Sequence, residues 1–362
     1  MNRLCDYSDT VFLAEGHNRR HPDLLMTWRI MTELRRWHMT GIAPLPHLQL
    51  VPEGFWDKYT GTDLRLLLHV TRVSMDFERR GISNCSVWVQ KMPTFLAIAL
   101  ETPFVMSSLL AFSASHMAWI TRNTDTSDLM LQYKGFALNG LRRSLHKFSE
   151  SISEAVLAAS ILLLWQANEW QEWVSLQCGI TSVLKAMSPA IKRRSELAMF
   201  LDQQNSNKHG YSLEIFCGSG PTILDTLTAD LLDMEYSLAH QLHGSYISEL
   251  LQFIQNIQCG GPFADIEEAF DRLRPLKTWL LWLPPALFAE QEEVSALIIL
   301  SQYYTAAVAI TSTFHFPDLE DLYLGSLSLS PLAFVQEILR VRVIMPVHQE
   351  DGLVEGNSHF VQ

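Results

Sequence analysis

The stretch Ala155–Trp165 (AVLAASILLLW) breaks its apolar run only at Ser160, so a helix through it is apolar on nearly every face. A helix of that kind has no solvent side and must sit centrally, wrapped by others. Ser151-x-x-Glu154, just ahead of it, reads as a capping box, the reciprocal side-chain and backbone pairing that opens a helix. Val294–Ile310 is a second such stretch, interrupted by Ser295, Ser301, Gln302 and two tyrosines. The first stretch is too short to span a bilayer and the second too polar, so no membrane span is expected. Two helices apolar all round need many amphipathic helices to cover them.

The rest of the chain supplies that cover. Leu24, Trp28, Met31 and Leu34 recur at helical spacing before Gly41, a C-cap residue, and Pro44, Pro46 and Pro52 then mark an extended connector. Thr62-Asp63 opens a helix through Arg80 that Gly81 stops. Pro93 starts a helix at Thr94–Leu100, and Thr102-Pro103 is a cap and first-turn proline for Phe104–Thr121. Asp125 to Ser127 caps a helix to about Phe148, and after Ala155–Asn168 another covers Glu169–Met187, ended by Pro189. Gln203 to Tyr211 and the turn Gly218-Ser219-Gly220-Pro221 separate the halves. Helical patterns then run over Thr222–Leu242, Ser245–Gln258, Phe263–Leu283, Glu292–Thr311 and Ser330–Val343. About a dozen helices, no alternating strand pair and no fixed repeat predict an all-α fold, a single large multi-helix domain without a significant sheet.

Composition agrees. The 362 residues contain 17 glycines and 15 prolines, below the usual share of about 12%, and only 18% charged residues against a typical value of about 25%. A chain of this size buries roughly three quarters of its unfolded surface and needs no disulfide or metal for stability. Its net charge of −12 opposes nonspecific binding of phosphate backbones. The basic residues Arg19, Arg20, Arg29, Arg35 and Arg36 near the N-terminus read as a solvated helix face. Five scattered cysteines (Cys5, Cys85, Cys178, Cys217 and Cys259) form no C-x-x-C pair, which fits a reducing, intracellular compartment.

Catalytic constellations are absent from the pattern. There is no phosphate-binding loop and no nucleophile elbow, and Gly218-Ser219-Gly220 lacks the flanking strand and third glycine of a dinucleotide site. Of the 13 histidines, His240 and His243 stand at i, i+3 and His17 and His21 at i, i+4, but no carboxylate or third histidine completes either set. Glu267-Glu268 and Glu292-Glu293 fall in first turns, where they complement the helix dipole. Neither an enzyme nor a metal site is expected.

The aromatic residues suggest more. Trp165, Trp170 and Trp173 lie within nine residues, and Phe104, Phe112 and Trp119 recur at about helical spacing. Either they pack the core, or several line an apolar pocket of the kind found between helices; periodicity alone does not separate the two. Phe112, His116, Trp119, Trp165 and Trp173 are the pocket candidates, being side chains on central helices with aromatic or polar handles.

Residues 64–120 carry a specific resemblance. Leu64-Arg65-Leu66-Leu67-Leu68-His69-Val70-Thr71 is followed by Trp88, by Pro93-Thr94-Phe95-Leu96-Ala97, and by the run from Phe104 to Ala118 that contains Leu110-Ala111-Phe112-Ser113-Ala114-Ser115-His116. Tyr133, Ala137 and Leu141-Arg142 follow, then Trp173 with Gly179-Ile180, the helix Ser295–Tyr304 and Tyr323-Leu324-Gly325. These blocks resemble the C-terminal regulatory domain of fungal binuclear-zinc-cluster transcription factors of the sterol-uptake-control type, over roughly residues 55–345.

The resemblance implies an all-helical, usually dimeric domain whose apolar pocket binds a sterol or another hydrophobic effector, with occupancy controlling nuclear import and activation. On that basis residues 1–54 are a lead with one helix and no zinc cluster, 55–345 the regulatory domain, and 346–362 a polar tail. The expected function is transcriptional regulation of sterol-related or secondary-metabolite genes, by homo- or heterodimers with related factors, in the nucleus or cytoplasm. The alternative is a stand-alone binder of a hydrophobic small molecule. The six closely spaced cysteines of the family's DNA-binding module do not occur in this sequence, so direct DNA binding is not expected of the chain as given. No cofactor is expected beyond the hydrophobic effector.

Overall fold

A computed structural model describes residues 22–49, 51–210, 223–238, 244–283, 287, 293–313 and 324–344. Among the described residues it contains fourteen α-helices, four short 3-10 turns and no strand, so the chain is all-α as its sequence predicts. In chain order the helices are α1 (Trp28–Thr40), α2 (Gly61–Arg79), α3 (Met92–Glu101), α4 (Pro103–Thr121), α5 (Thr124–Leu145), α6 (Ser153–Gln166) and α7 (Trp170–Ala186). They continue with α8 (Pro189–Lys192), α9 (Glu196–Gly210), α10 (Ile223–Leu238), α11 (Gly244–Cys259), α12 (Ile266–Trp282), α13 (Glu293–Thr313) and α14 (Leu324–Ile344).

The all-round apolar stretch occupies the centre. In α6 every residue from Ala155 to Gln166 is buried, and the helix packs against α3, α4, α5, α7 and α9. α4 lies lengthwise along α5 and also meets α2 and α3, while α13 pairs with α14 and touches α10, α11 and α12. The segments Pro103–Thr121 and Val294–Thr311 are long and apolar enough to cross a bilayer, yet 61% and 56% of their residues are buried inside the fold, as core helices are. Pro103–Thr121 passes this test although its sequence did not single it out.

Local chemistry sets most boundaries. Gly41 ends α1 at φ 65° with its N–H on Trp37 O, and Gly81, at φ 69°, follows α2; both are left-handed positions that favour glycine. Thr60, rather than Thr62 or Asp63, caps α2: its hydroxyl accepts from Asp63 N while Asp63 Oδ2 accepts from Thr60 N at 2.7 Å. Asn123 caps α5, ahead of the expected Asp125.

Four local expectations change. The Ser151/Glu154 box does not form, because a 3-10 turn (Glu150–Ile152) leads into α6; Glu154 instead accepts from Leu197 N at 3.2 Å and docks α9. Pro189 starts a short helix rather than only ending one. The polar run from Gln203 lies within α9 as far as Gly210. Leu324 and Gly325 open α14, ahead of the expected start at Ser330. His17, His21, His240, His243 and the Gly218–Pro221 turn lie outside the described residues.

On the outer side of α1, Trp28 and Met39 are each 77% exposed, alongside exposed Arg29, Arg35 and Arg36. The inner side buries Ile30, Leu34 and Trp37, and Trp37 meets Trp56 edge to face at 4.8 Å. The buried Arg65 of α2 donates from Nε to Leu24 O at 2.7 Å and fixes the chain ahead of α1.

Candidate functional site

Spacing on α4 generates the site. Phe112, His116 and Trp119 stand at i, i+4 and i+7, so all three project from one face of the helix. That face meets α2, which brings His69; the segment after α2, which brings Trp88; α6, which brings Trp165; and the end of α12, which brings Trp279 and Trp282.

The rings form a continuous seam. Phe112 packs on Trp282 at 4.6 Å, edge-on to Trp88 at 5.4 Å, and against Trp165 at 6.1 Å between centroids. Trp165 reaches on to Phe95 at 5.6 Å and Phe200 at 6.5 Å. His116 stacks on Trp282 at 5.0 Å with the planes 9° apart, and on Trp119 at 6.1 Å. Trp119 meets Trp279 at 6.3 Å, and Trp279 in turn stacks on Tyr303 at 4.4 Å. Trp88 Nε1 donates to Leu281 O at 2.7 Å, which ties its ring to the C-terminal end of α12. The buried Tyr304 of α13 donates its hydroxyl to Cys85 O.

Within this apolar wall sits a polar pair. His69 Nε2 and His116 Nδ1 are 3.2 Å apart, so one ring donates to the other. His69 is pushed well below the usual histidine range, first by burial and then by His116, Arg65 and Arg72. Burial alone lowers His116 to about 3. Both imidazoles are therefore neutral at physiological pH. His116 Nε2 is buried and meets no hydrogen-bond partner.

The five candidates divide four to one. Phe112, His116, Trp119 and Trp165 share the seam, whereas Trp173 stacks on Trp170 at 5.2 Å beside Phe270, part of a second aromatic group. Next to that group Lys277 of α12 is buried, with its Nζ over the Phe270 ring and donating to Ala167 O beyond the end of α6. Desolvation lowers Lys277 to about 7, partly offset by Glu172 and reinforced by Lys134 and Arg274.

Sequence reasoning passed over Trp279, Trp282, Tyr304 and Lys277 as site residues. The two tryptophans carry a readable signal, i, i+3 spacing in TWLLW, but nothing local says that they meet α4. Among the described residues no group of three or more His, Cys, Asp and Glu is placed to hold a metal ion. Among the described residues Cys85, Cys178 and Cys259 are in no disulfide, the first buried and the others exposed. The seam offers rings for apolar surface and one imidazole edge for a polar group, the makings of a binding site.

Residues 90–218 match the family described as fungal specific transcription factor domain. Two relatives both bear the name sterol uptake control protein 2. The one from Candida albicans is 31% identical over 113 residues, which cover 31% of this chain and 15% of that protein. The one from Saccharomyces cerevisiae is 28% identical over 103 residues, covering 28% of this chain and 11% of that protein. The aligned parts are thus a small fraction of both relatives, and no solved structure matches the chain. Through the segment that carries all five candidate residues, this chain matches the fungal specific transcription factor domain, the family its sequence resembles.

Proposed function

We propose that this chain is a fungal transcriptional regulator whose helical domain, over about residues 55–345, takes a hydrophobic effector at the aromatic seam and passes its occupancy to transcription. The observation that carries the reading is the coincidence of the family match over 90–218 with α4 and α6, the helices that supply Phe112, His116, Trp119 and Trp165. The name shared by the two relatives makes a sterol the first effector to try, with other apolar metabolites behind it. Dimerisation with a copy of itself or a related factor, and residence in the nucleus or cytoplasm, belong to the same proposal. So do sterol-related or secondary-metabolite target genes.

The test fuses the full chain to a heterologous DNA-binding module upstream of a reporter in yeast and varies sterol supply. A several-fold change in reporter output on sterol depletion, together with quenching of tryptophan fluorescence by ergosterol in the purified chain, supports the reading. A reporter that ignores sterol while ergosterol still binds would instead support the stand-alone binder. A flat reporter together with flat fluorescence across sterols and terpenoids overturns both.

A further inference from the structure

We propose that the seam reads the hydroxyl of an apolar alcohol, with His116 Nε2 as the partner of that hydroxyl and Trp282, Trp119 and Trp88 as the walls around its carbon skeleton. This rests on the effector reading above and adds which atom recognises which group. His116 Nδ1 is already engaged by His69 Nε2 at 3.2 Å, which leaves Nε2 as the remaining nitrogen of the His116 ring. It is buried without a partner, in a residue that exposes none of its surface. Buried polar atoms are hydrogen-bonded as a rule, and an exception enclosed by aromatic rings points to a group that completes it.

The immediate surroundings do not complete it. Trp282 lies face-on at 5.0 Å, Trp119 at 6.1 Å and Trp88 edge-on at 6.1 Å between centroids, and the Trp88 indole N–H is committed to Leu281 O. One polar edge inside an aromatic enclosure is how sites for apolar ligands fix orientation.

The chemistry selects an alcohol. In one tautomeric arrangement of the pair, His69 donates and His116 Nε2 carries a proton; in the other, His116 donates through Nδ1 and Nε2 presents a lone pair. A hydroxyl both donates and accepts, so it pairs with either arrangement. A carbonyl pairs with only the first. A carboxylate would bring a charge into a wall where both rings are held neutral by burial.

The experiment compares ergosterol with the same skeleton lacking its 3-hydroxyl, titrated against the purified full chain and followed by tryptophan fluorescence. The wild-type chain is expected to bind the alcohol about tenfold more tightly than the hydrocarbon, the worth of one buried hydrogen bond. His116→Phe should bring the alcohol down to the hydrocarbon, while His116→Gln keeps part of the preference. Nitrogen-15 spectra of the wild-type imidazoles need no variant: ergosterol should shift the His116 Nε2 resonance and the hydrocarbon should not. Equal wild-type affinity for the two compounds overturns the inference and leaves the effector reading standing. A preference that survives His116→Phe also overturns it, because the hydroxyl is then read elsewhere. A chain that binds neither compound overturns the effector reading itself.

Discussion

Trp88 and Leu281 stand 193 positions apart and are joined by a hydrogen bond from the Trp88 indole N–H to the Leu281 carbonyl at 2.7 Å. The bond clamps the segment after α2 to the end of α12, and it turns the Trp88 ring edge-on to Phe112 and His116. The clamp and the seam are thus one arrangement.

Trp88→Phe keeps a ring in place but leaves the Leu281 carbonyl buried and unpaired. The expected loss is about 1–3 kcal/mol, the cost of an orphaned buried acceptor. Trp88→Ala adds a cavity and should cost about 3–5 kcal/mol. Urea denaturation of the two variants checks the order, and helical content by circular dichroism should stay unchanged in Trp88→Phe.

The histidine pair makes the fold sensitive to acid. Folded His116 titrates near 3 and His69 well below its usual 6.5, whereas the unfolded chain takes up protons from about 6.5 downward. Stability is therefore whole above pH 6.5 and falls as pH drops from there toward 3, by at most about 1.4 kcal/mol per pH unit for each ring. His69→Gln removes one of the two titrations, so its stability should decline less steeply than that of the wild type between pH 6.5 and 5. Equal slopes in the two proteins would show that the pair is not held neutral.

Lys277 works in the alkaline range. Folded it titrates near 7, against 10.5 for an ordinary lysine. The folded state refuses a proton that the unfolded chain holds, so its penalty grows as pH falls from about 10.5 to 7 and stability should rise between pH 7 and 9. Lys277→Met fills the same space without a charge. The expected outcome is loss of that rise, with stability at pH 7 equal to or above the wild type. A wild-type stability that stays flat from pH 7 to 9 would contradict the neutral amine.

Two glycines of α5 should respond in opposite ways to alanine. A Cβ at Gly140 would meet Phe104 Cβ of α4 at 2.3 Å, while at Gly135 nothing lies within 4 Å. Gly140→Ala must push α4 and α5 apart and should cost about 1–3 kcal/mol. Gly135→Ala gains helix propensity and should stabilise by up to about 1 kcal/mol. Melting temperatures of the two variants, measured side by side, check the sign.

The central place of α6 was legible because an all-round apolar helix has only one environment open to it, and every residue from Ala155 to Gln166 is buried there. Gly41 and Gly81 were legible for a similar local reason, since each occupies a positive φ next to a helix end. The Ser151/Glu154 box was misread because the same carboxylate satisfied a competing donor, Leu197 N on another helix. Local pattern states what Glu154 could do, and packing chose between the options.

For the site, the sequence by itself determined that Phe112, His116 and Trp119 share a face, because a 3.6-residue period leaves them no alternative. It could not say what that face meets. The pairing of His69 with His116, the stacking of Trp282 on His116 and the burial of Lys277 under α6 were decided by tertiary structure alone. Helix periodicity reports which side of an element is apolar and is silent on which other helix covers it. That choice follows from how the ridges of side chains on the many helices interlock, a property of the packed fold.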